Sequence, residues 1–461
     1  MRILYFAAMP LLLAVAVPAS AAGPAIVSDE VSATTSNSPE PQFSGPLAKL
    51  GRTLHDNGVD IGLSYVNLYM NTPNFGFTTG ASANYGMFLF DTKVHLSDYF
   101  QVNFQETLNF PSYNVDSYLF DLSNAFFPVP VVDSDTDLTR LTLQGNFFDG
   151  RLEIEGGRMG LNQQFIMQGF CGGIGCLNST SAISLNIPGA SLSEWGGRIG
   201  YKLSPETKLG FGIIEDNPDN WQNGSGWDWS KGEAKGYISV ANVTHDETFK
   251  DHSHPLRYEI GAYHSSSPYD DALYNSGWGN PTFMSASPTI IEHKNGTTGI
   301  YAQGRKVIWS NPSSGPLPEN IALYGGVFRT FGDGQAYPLE AYAGVEYSGF
   351  WERNPIAGIG ATVHYINLSK KRSEYERNAR LFFSGIDQAQ PRDMFEFDLH
   401  GKVGVTKNGI LELGAAYIVN PNTSALADYS TGRQKDGFML YATLVFDIGS
   451  TLGLSPSRVP E

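Results

Sequence analysis

Apolar and polar side chains alternate along this chain with a period of two, and the alternation recurs from about residue 58 to residue 447. In 99–110, Phe100, Val102, Phe104, Leu108 and Phe110 fall on one parity, and Gln101, Asn103, Gln105, Thr107 and Asn109 on the other. Successive strand side chains point to opposite faces, so such a run has an apolar face and a wet face. The pattern returns at 393–405, where Phe395, Phe397, Leu399, Val403 and Val405 oppose Glu396, Asp398, His400 and Lys402. One such strand fits any antiparallel sheet. About sixteen of them, joined by connections that alternate short and long, predict an all-β fold, a transmembrane antiparallel β-barrel with lipid outside and water inside.

The predicted strands are 59–69, 85–96, 99–110, 138–148, 151–159, 191–203, 207–215, 235–243, 256–264, 297–309, 320–331, 339–350, 358–368, 393–405, 410–419 and 437–447. Ser97-Asp98, Asp149-Gly150 and Lys407-Asn408-Gly409 read as tight turns. The charged stretch 370–390 reads as a loop. Short connections belong on the periplasmic side, which places both termini there. A charge on the lipid side costs about 2–4 kcal/mol for Arg or Lys at the midplane, so charges keep to one parity. Glu106 breaks that rule and belongs at a strand end or a bulge. Arg158 shares the parity of Leu152 and Ile154, so it needs a bulge near Gly156-Gly157 to face inward. Tyr65, Tyr69, Tyr85, Tyr99, Phe110, Phe147, Phe148, Trp309, Phe350 and Trp351 cluster at strand ends, as two interfacial girdles would.

Outside that region the pattern changes. Met1-Arg2, an apolar stretch from Ile3 to Val17 and Ala19-Ser20-Ala21 read as a cleaved signal peptide over 1–21. Residues 22–57 form a periplasmic leader: Ser28–Ser44 is polar and flexible, and Leu47, Leu50 and Leu54 mark a short amphipathic helix that Gly58 stops. The barrel takes 58–447 and a tail takes 448–461.

Composition adds limits. The formal charge of −16 over 461 residues gives no basic stripe for nucleic acid. The mean hydropathy of −0.20 would suit a soluble protein, but a membrane barrel is half polar on every strand. Export leads to an oxidising compartment, so Cys171 and Cys176, separated by glycines, are expected to form a local disulfide. No metal site is expected. His245, His252 and His254, beside Asp246 and Asp251, read as a polar periplasmic turn. No cofactor and no catalytic residue is expected either. A barrel enzyme would need a Ser/His/Asp or paired-acid cluster on one rim, and a soluble propeller would need repeats of about 40 residues.

Three stretches carry a family resemblance: Pro46–Gly62; Gly156-Gly-Arg-Met-Gly160 with the cysteine loop and Ser193-Glu-Trp-Gly-Gly-Arg198; and Glu412–Pro421, a strand ending in an Asn-Pro turn. In these the chain resembles the OprB-type carbohydrate-selective porins of Gram-negative outer membranes, over roughly Leu47 to Phe446. The resemblance implies a sixteen-stranded pore narrowed by inward-folded outer loops, and passive uptake of sugars. A channel for other small solutes is the alternative. The implied partners are monosaccharides or small oligosaccharides, outer-membrane lipid and lipopolysaccharide, and the barrel-assembly machinery, with a homotrimer as one mode of association. One departure is that Phe446 is followed by Asp447–Glu461, where many barrels end on an aromatic residue.

A sugar pore needs hydroxyl partners that bind weakly enough for exit. Parity nominates Glu194, Arg198, Lys202, Arg257, Glu259, Arg305, Glu340, Glu346 and His364 as lumen-facing. Loops 111–136 and 162–190 are the candidates for the constriction. The first carries Asp116 and Asp121 and the second carries the cysteines.

Overall fold

In the computed structural model, sixteen strands close into one barrel. The described residues run from 42 onward, except 78, 113–135, 162–164, 167–169, 175–192, 218–225, 230–232, 271–292, 312–316, 333–334, 423–433 and 457–461. The signal and most of the leader, and with them loop 113–135, therefore lie outside the described residues.

In chain order, helix α1 (Ala48–Asp56) precedes β1 (Val59–Thr72), β2 (Ala81–His95), β3 (Phe100–Pro111), β4 (Thr136–Phe147), β5 (Leu152–Met159) and β6 (Glu194–Lys202). Then follow β7 (Thr207–Asp216), β8 (Gly236–Asp246), β9 (Leu256–Asp270), β10 (His293–Asn311), β11 (Glu319–Phe331) and β12 (Leu339–Ser348). The last elements are β13 (Gly358–Asn367), helix α2 (Lys370–Ser384), β14 (Asp393–Thr406), β15 (Gly409–Val419), β16 (Gly437–Asp447) and helix α3 (Ile448–Leu452). Each strand pairs antiparallel with its sequence neighbours, and β1 pairs with β16, with Tyr65 opposite Phe446, to close the cylinder. Every predicted strand is present. At one end the turns are tight: Asp149 and Gly150 both take positive φ, at 56° and 74°.

Burial is inverted relative to a soluble protein. Leu399 is 66% exposed, while Glu396 and Asp398 on the other parity are 1% and 3% exposed. Charged side chains line the inside, and an apolar band faces outward for lipid to cover. Glu106 lies at the predicted irregularity. The β3–β4 register shifts between Gln105 and Glu106, and the indole N–H of Trp227 donates to both carboxylate oxygens at 3.0 Å. Trp227 also stacks on Trp229, whose ring meets Trp195, giving an aromatic patch on the outer wall.

The inner face is not uniformly wet. Val66, Leu68 and Met70 of β1 point inward and pack with Met87, Met439, Ile418 and Ile366. Tyr85, expected in a girdle, belongs to this inner cluster, and its hydroxyl donates to Asn109 Oδ1 at 2.7 Å. Inward tyrosines recur as cross-strand pairs with glycine: Tyr263 with Gly299, Tyr301 with Gly261, Tyr342 with Gly326, Tyr324 with Gly344 and Tyr441 with Gly414. At each of these glycines a Cβ would overlap the tyrosine ring, so the ring lies across its neighbour's bare backbone.

Two further elements depart from the sequence reading. The stretch expected as a loop at 370–390 contains helix α2, capped by Ser369, whose hydroxyl accepts from Arg372 N, and ended by Gly385 at φ 71°. The tail after Phe446 forms the short helix α3, with the Asp447 carboxylate accepting from Ser450 N at 2.8 Å. It docks against α1: Leu47 N–H donates to Leu452 O at 2.8 Å, and Gly51 meets the Gly453 carbonyl so closely that no Cβ fits between them.

The outward parity makes one expectation quantitative. Leu399→Arg should lower unfolding stability in phospholipid bilayers by about 2–4 kcal/mol, read by reversible denaturant unfolding.

Candidate functional site

All nine nominated residues take the inward parity. Their partners, which parity could not supply, form separate networks on different parts of the wall.

On β4–β7 the charges make a ladder across four strands. Arg140 Nε donates to Glu155 Oε1 at 2.8 Å, and Arg198 Nε to Glu155 Oε2 at 2.6 Å. Arg198 Nη1 reaches Glu153 Oε2 at 3.1 Å, and Lys208 Nζ reaches the same oxygen at 2.6 Å. Lys202 pairs across the strands with Lys208 at the lower end of this wall. Arg140, Glu153 and Lys208 remain partly open to solvent. Arg140, Glu153, Glu155 and Lys208 were not nominated, although their parity marks them.

On β10–β14, Arg305 Nη1 donates to Glu346 Oε2 at 3.1 Å and Lys402 Nζ to Glu346 Oε1 at 2.6 Å. Above them the ring of His364 bridges Glu340 Oε1, 3.0 Å from Nε2, and Glu396 Oε2, 3.5 Å from Nδ1. His400 Nδ1 lies 2.7 Å from Asp398 Oδ1, and Tyr441 donates to Asp398 Oδ2 at 2.9 Å. Buried charges need such partners, because an isolated charge out of water is costly. Nη2 of Arg305 and Nε2 of His400 hold no hydrogen bond among the described residues.

Glu259 is fully buried on the β8–β10 wall. It accepts from Tyr301 OH at 2.6 Å, Asn242 Nδ2 at 2.7 Å and Gln303 Nε2 at 2.9 Å. Arg257 pairs with Asp246 near the short-turn end.

Glu194 and Arg158 meet at the upper end of β5–β6, 3.8 Å apart. No bulge turns Arg158 inward. The β5–β6 pairing runs unbroken through Gly156 and Gly157, and Arg158 sits opposite the outward Trp195, its guanidinium 5.7 Å from that ring. It is buried there, donating to Ser193 O at 2.5 Å with Glu215 3.6 Å away.

A segment of the cysteine loop crosses the lumen. Ile166 N–H donates to Glu259 Oε1 at 2.8 Å, anchoring the segment on the β9 wall. Phe165 crowds Gly210 and Gly212 of β7, and Phe170 lies 5.7 Å from the Arg257 guanidinium carbon. Farther along, Gly172 O accepts from Thr362 Oγ1 at 2.8 Å on β13. Gly172 abuts the His400 ring and Gly173 abuts Asp398, both too closely for a Cβ. Ile174 then joins the inner apolar cluster. Cys171, in the middle of this segment, is disulfide-bonded, while Cys176 lies outside the described residues. Gly172 and Gly173 thus serve close approach to β14.

Solved structures of OprB from Pseudomonas putida superpose on the chain. The high-pH form gives a TM-score of 0.74 at 18% identity, covering 90% of this chain and 99% of that one. The low-pH form gives 0.52 at 13% identity, covering 89% and 100%. At these identities the likeness shows the fold. Porin B of Pseudomonas aeruginosa is 26% identical over 248 residues, 51% of this chain and 52% of that protein, so the alignment spans about half of its length. The family described as carbohydrate-selective porin, OprB family, matches residues 72–435, most of the chain; together with the barrel this places the protein in the Gram-negative outer membrane and makes it a member of that family.

Proposed function

We propose that this barrel is a diffusion channel for glucose-like sugars, taken passively from the outside to the periplasm. The observation that carries the reading is the lumen itself. Paired guanidinium, ammonium and carboxylate groups line two stretches of wall, and residues 165–166 and 170–174 of the cysteine loop lie across the space between them. Membership of a carbohydrate-selective family supports sugar over other solutes. In this reading the long connections face outside, and α1 and α3 face the periplasm after cleavage of the signal.

The chemistry fits a neutral polyol. A sugar hydroxyl both donates and accepts, so it can bridge neighbouring groups of opposite charge without displacing either. A net hydrogen bond contributes only about 0.5–1.5 kcal/mol, which keeps residence short and lets solute leave. Arg140, Glu153 and Lys208, which stay partly open to solvent, suit this role.

Three measurements test the reading. Reconstituted in planar bilayers, the mature chain should give ion-conducting steps that fall as glucose is added. Absence of steps would remove the pore, and steps indifferent to sugar would leave a general small-solute channel. Arg198→Ala should weaken the glucose block roughly 2- to 10-fold, the equivalent of about one net hydrogen bond. It should also shift reversal potentials in a salt gradient towards cation selectivity, because Glu153 and Glu155 each lose one of their two counter-charges. Gly172→Val should push the crossing segment off the His400 ring and raise single-channel conductance.

A further inference from the structure

At the short-turn rim, two connections meet. The β6–β7 turn carries Glu206, and the β8–β9 connection carries Glu247 and His252. One ligand atom from each of these residues lies within 4.8 Å of the others. His252 Nε2 is 2.7 Å from Glu206 Oε1, and His252 Nδ1 is 3.9 Å from Glu247 Oε1. A fourth group adjoins them. His245, near the end of β8, places Nε2 3.4 Å from the same Glu247 oxygen and Nδ1 2.9 Å from Thr207 Oγ1.

We propose that Glu206, Glu247 and His252 form a divalent-cation site of zinc type that clamps the β6–β7 turn to the β8–β9 connection, with His245 supporting Glu247 from the side. One imidazole nitrogen and two carboxylate oxygens are a three-ligand zinc set with a fourth position left open. Zinc bond lengths of about 2.0–2.2 Å put neighbouring ligand atoms about 3.3–3.5 Å apart. The three ligand atoms already lie within 4.8 Å of one another, so side-chain rotation alone closes the set. The backbone under the site is already fixed: Asp246 N–H donates to Glu206 O at 2.9 Å, and Glu247 N–H to Leu256 O at 3.0 Å.

Outer contacts orient the ligands. Leu256 N–H donates to Glu247 Oε2 at 2.7 Å, which turns Oε1 towards the two histidines. His245, held by Thr207 through Nδ1, places Nε2 beside Glu247 Oε1 and so supports that ligand from outside. In the absence of metal, the hydrogen bond to Glu206, aided by the charges of Glu247 and Asp251, holds the His252 imidazolium above its ordinary pKa, so zinc would displace a proton there. Lys306 Nζ, 3.8 Å from Glu247 Oε2, is the resident competing cation.

The ligand set differs from what the sequence offered. Among the grouped His and Asp residues, Asp246 turns to Arg257 and His254 to Ser253 Oγ, and neither joins the site. Glu206, some forty residues earlier, enters only because β7 pairs with β8.

The test is calorimetric titration of zinc chloride, near neutral pH, into the full chain in detergent micelles. One saturable equivalent is expected. His252→Ala and Glu206→Gln should each weaken it at least about 10-fold, while His254→Ala leaves it unchanged. No saturable uptake by the unaltered chain would overturn the site, leaving a simple His252–Glu206 ion pair. Equal affinity in all four proteins would overturn it too.

Discussion

A strand in hydrocarbon has no water to complete its backbone hydrogen bonds, and each unpaired N–H or C=O there costs several kcal/mol. The closed ring follows from that constraint. The seam between β1 and β16 is paired over eight residues, from Ser64 with Asp447 to Asn71 with Leu440, so no strand edge is left. The helices at the chain ends lie under this seam. The contact of α1 with α3 through Gly51 and Gly453 ties the entry to β1 to the exit from β16. A tail that reads in sequence as an appendage thus becomes part of the closure.

Closure with lipid outside forces polarity inward, and inward polarity creates its own problem. Charges brought within a narrow lumen need counter-charges nearby. The ladder from Arg140 to Lys208 meets the need with each carboxylate shared between two cations. Glu346, between Arg305 and Lys402, repeats the solution on β10–β14. The inner wall near the long loops solves it differently: protein fills the space, so Val66, Leu68 and Met70 can face inward and stay dry.

This division explains what could be read from the sequence. The strands were legible because lipid tolerates only one parity, and Phe395, Phe397 and Leu399 record that preference directly. The nominated charges were legible for the same reason. Their partners were not: Arg305 and Glu346 lie on strands two apart, a relation set by barrel register and side-chain reach. Parity also fails where both faces are apolar. Tyr85 sits among Ala83, Met87 and Leu89, and nothing local says that this set faces inward. Helix α2 was missed because its charges mask any apolar stripe, although Ser369 and Gly385 are recognisable caps.

The aperture follows from how the crossing segment is held. Ile166 is pinned to Glu259 on one wall and Gly172 to Thr362 on another, and glycines at 172 and 173 let the backbone touch His400 and Asp398. The tyrosines beneath are themselves fixed, Tyr301 by Glu259 and Tyr324 by Thr362 at 2.7 Å. The residues that anchor the segment therefore also lock the wall it lies on. Moving the segment would strip hydrogen bonds from buried groups at both ends, at about 1–3 kcal/mol for each one left unsatisfied. A constriction held this way favours one size of opening. In the proposed channel, solute would then be selected by fit and by weak polar contacts.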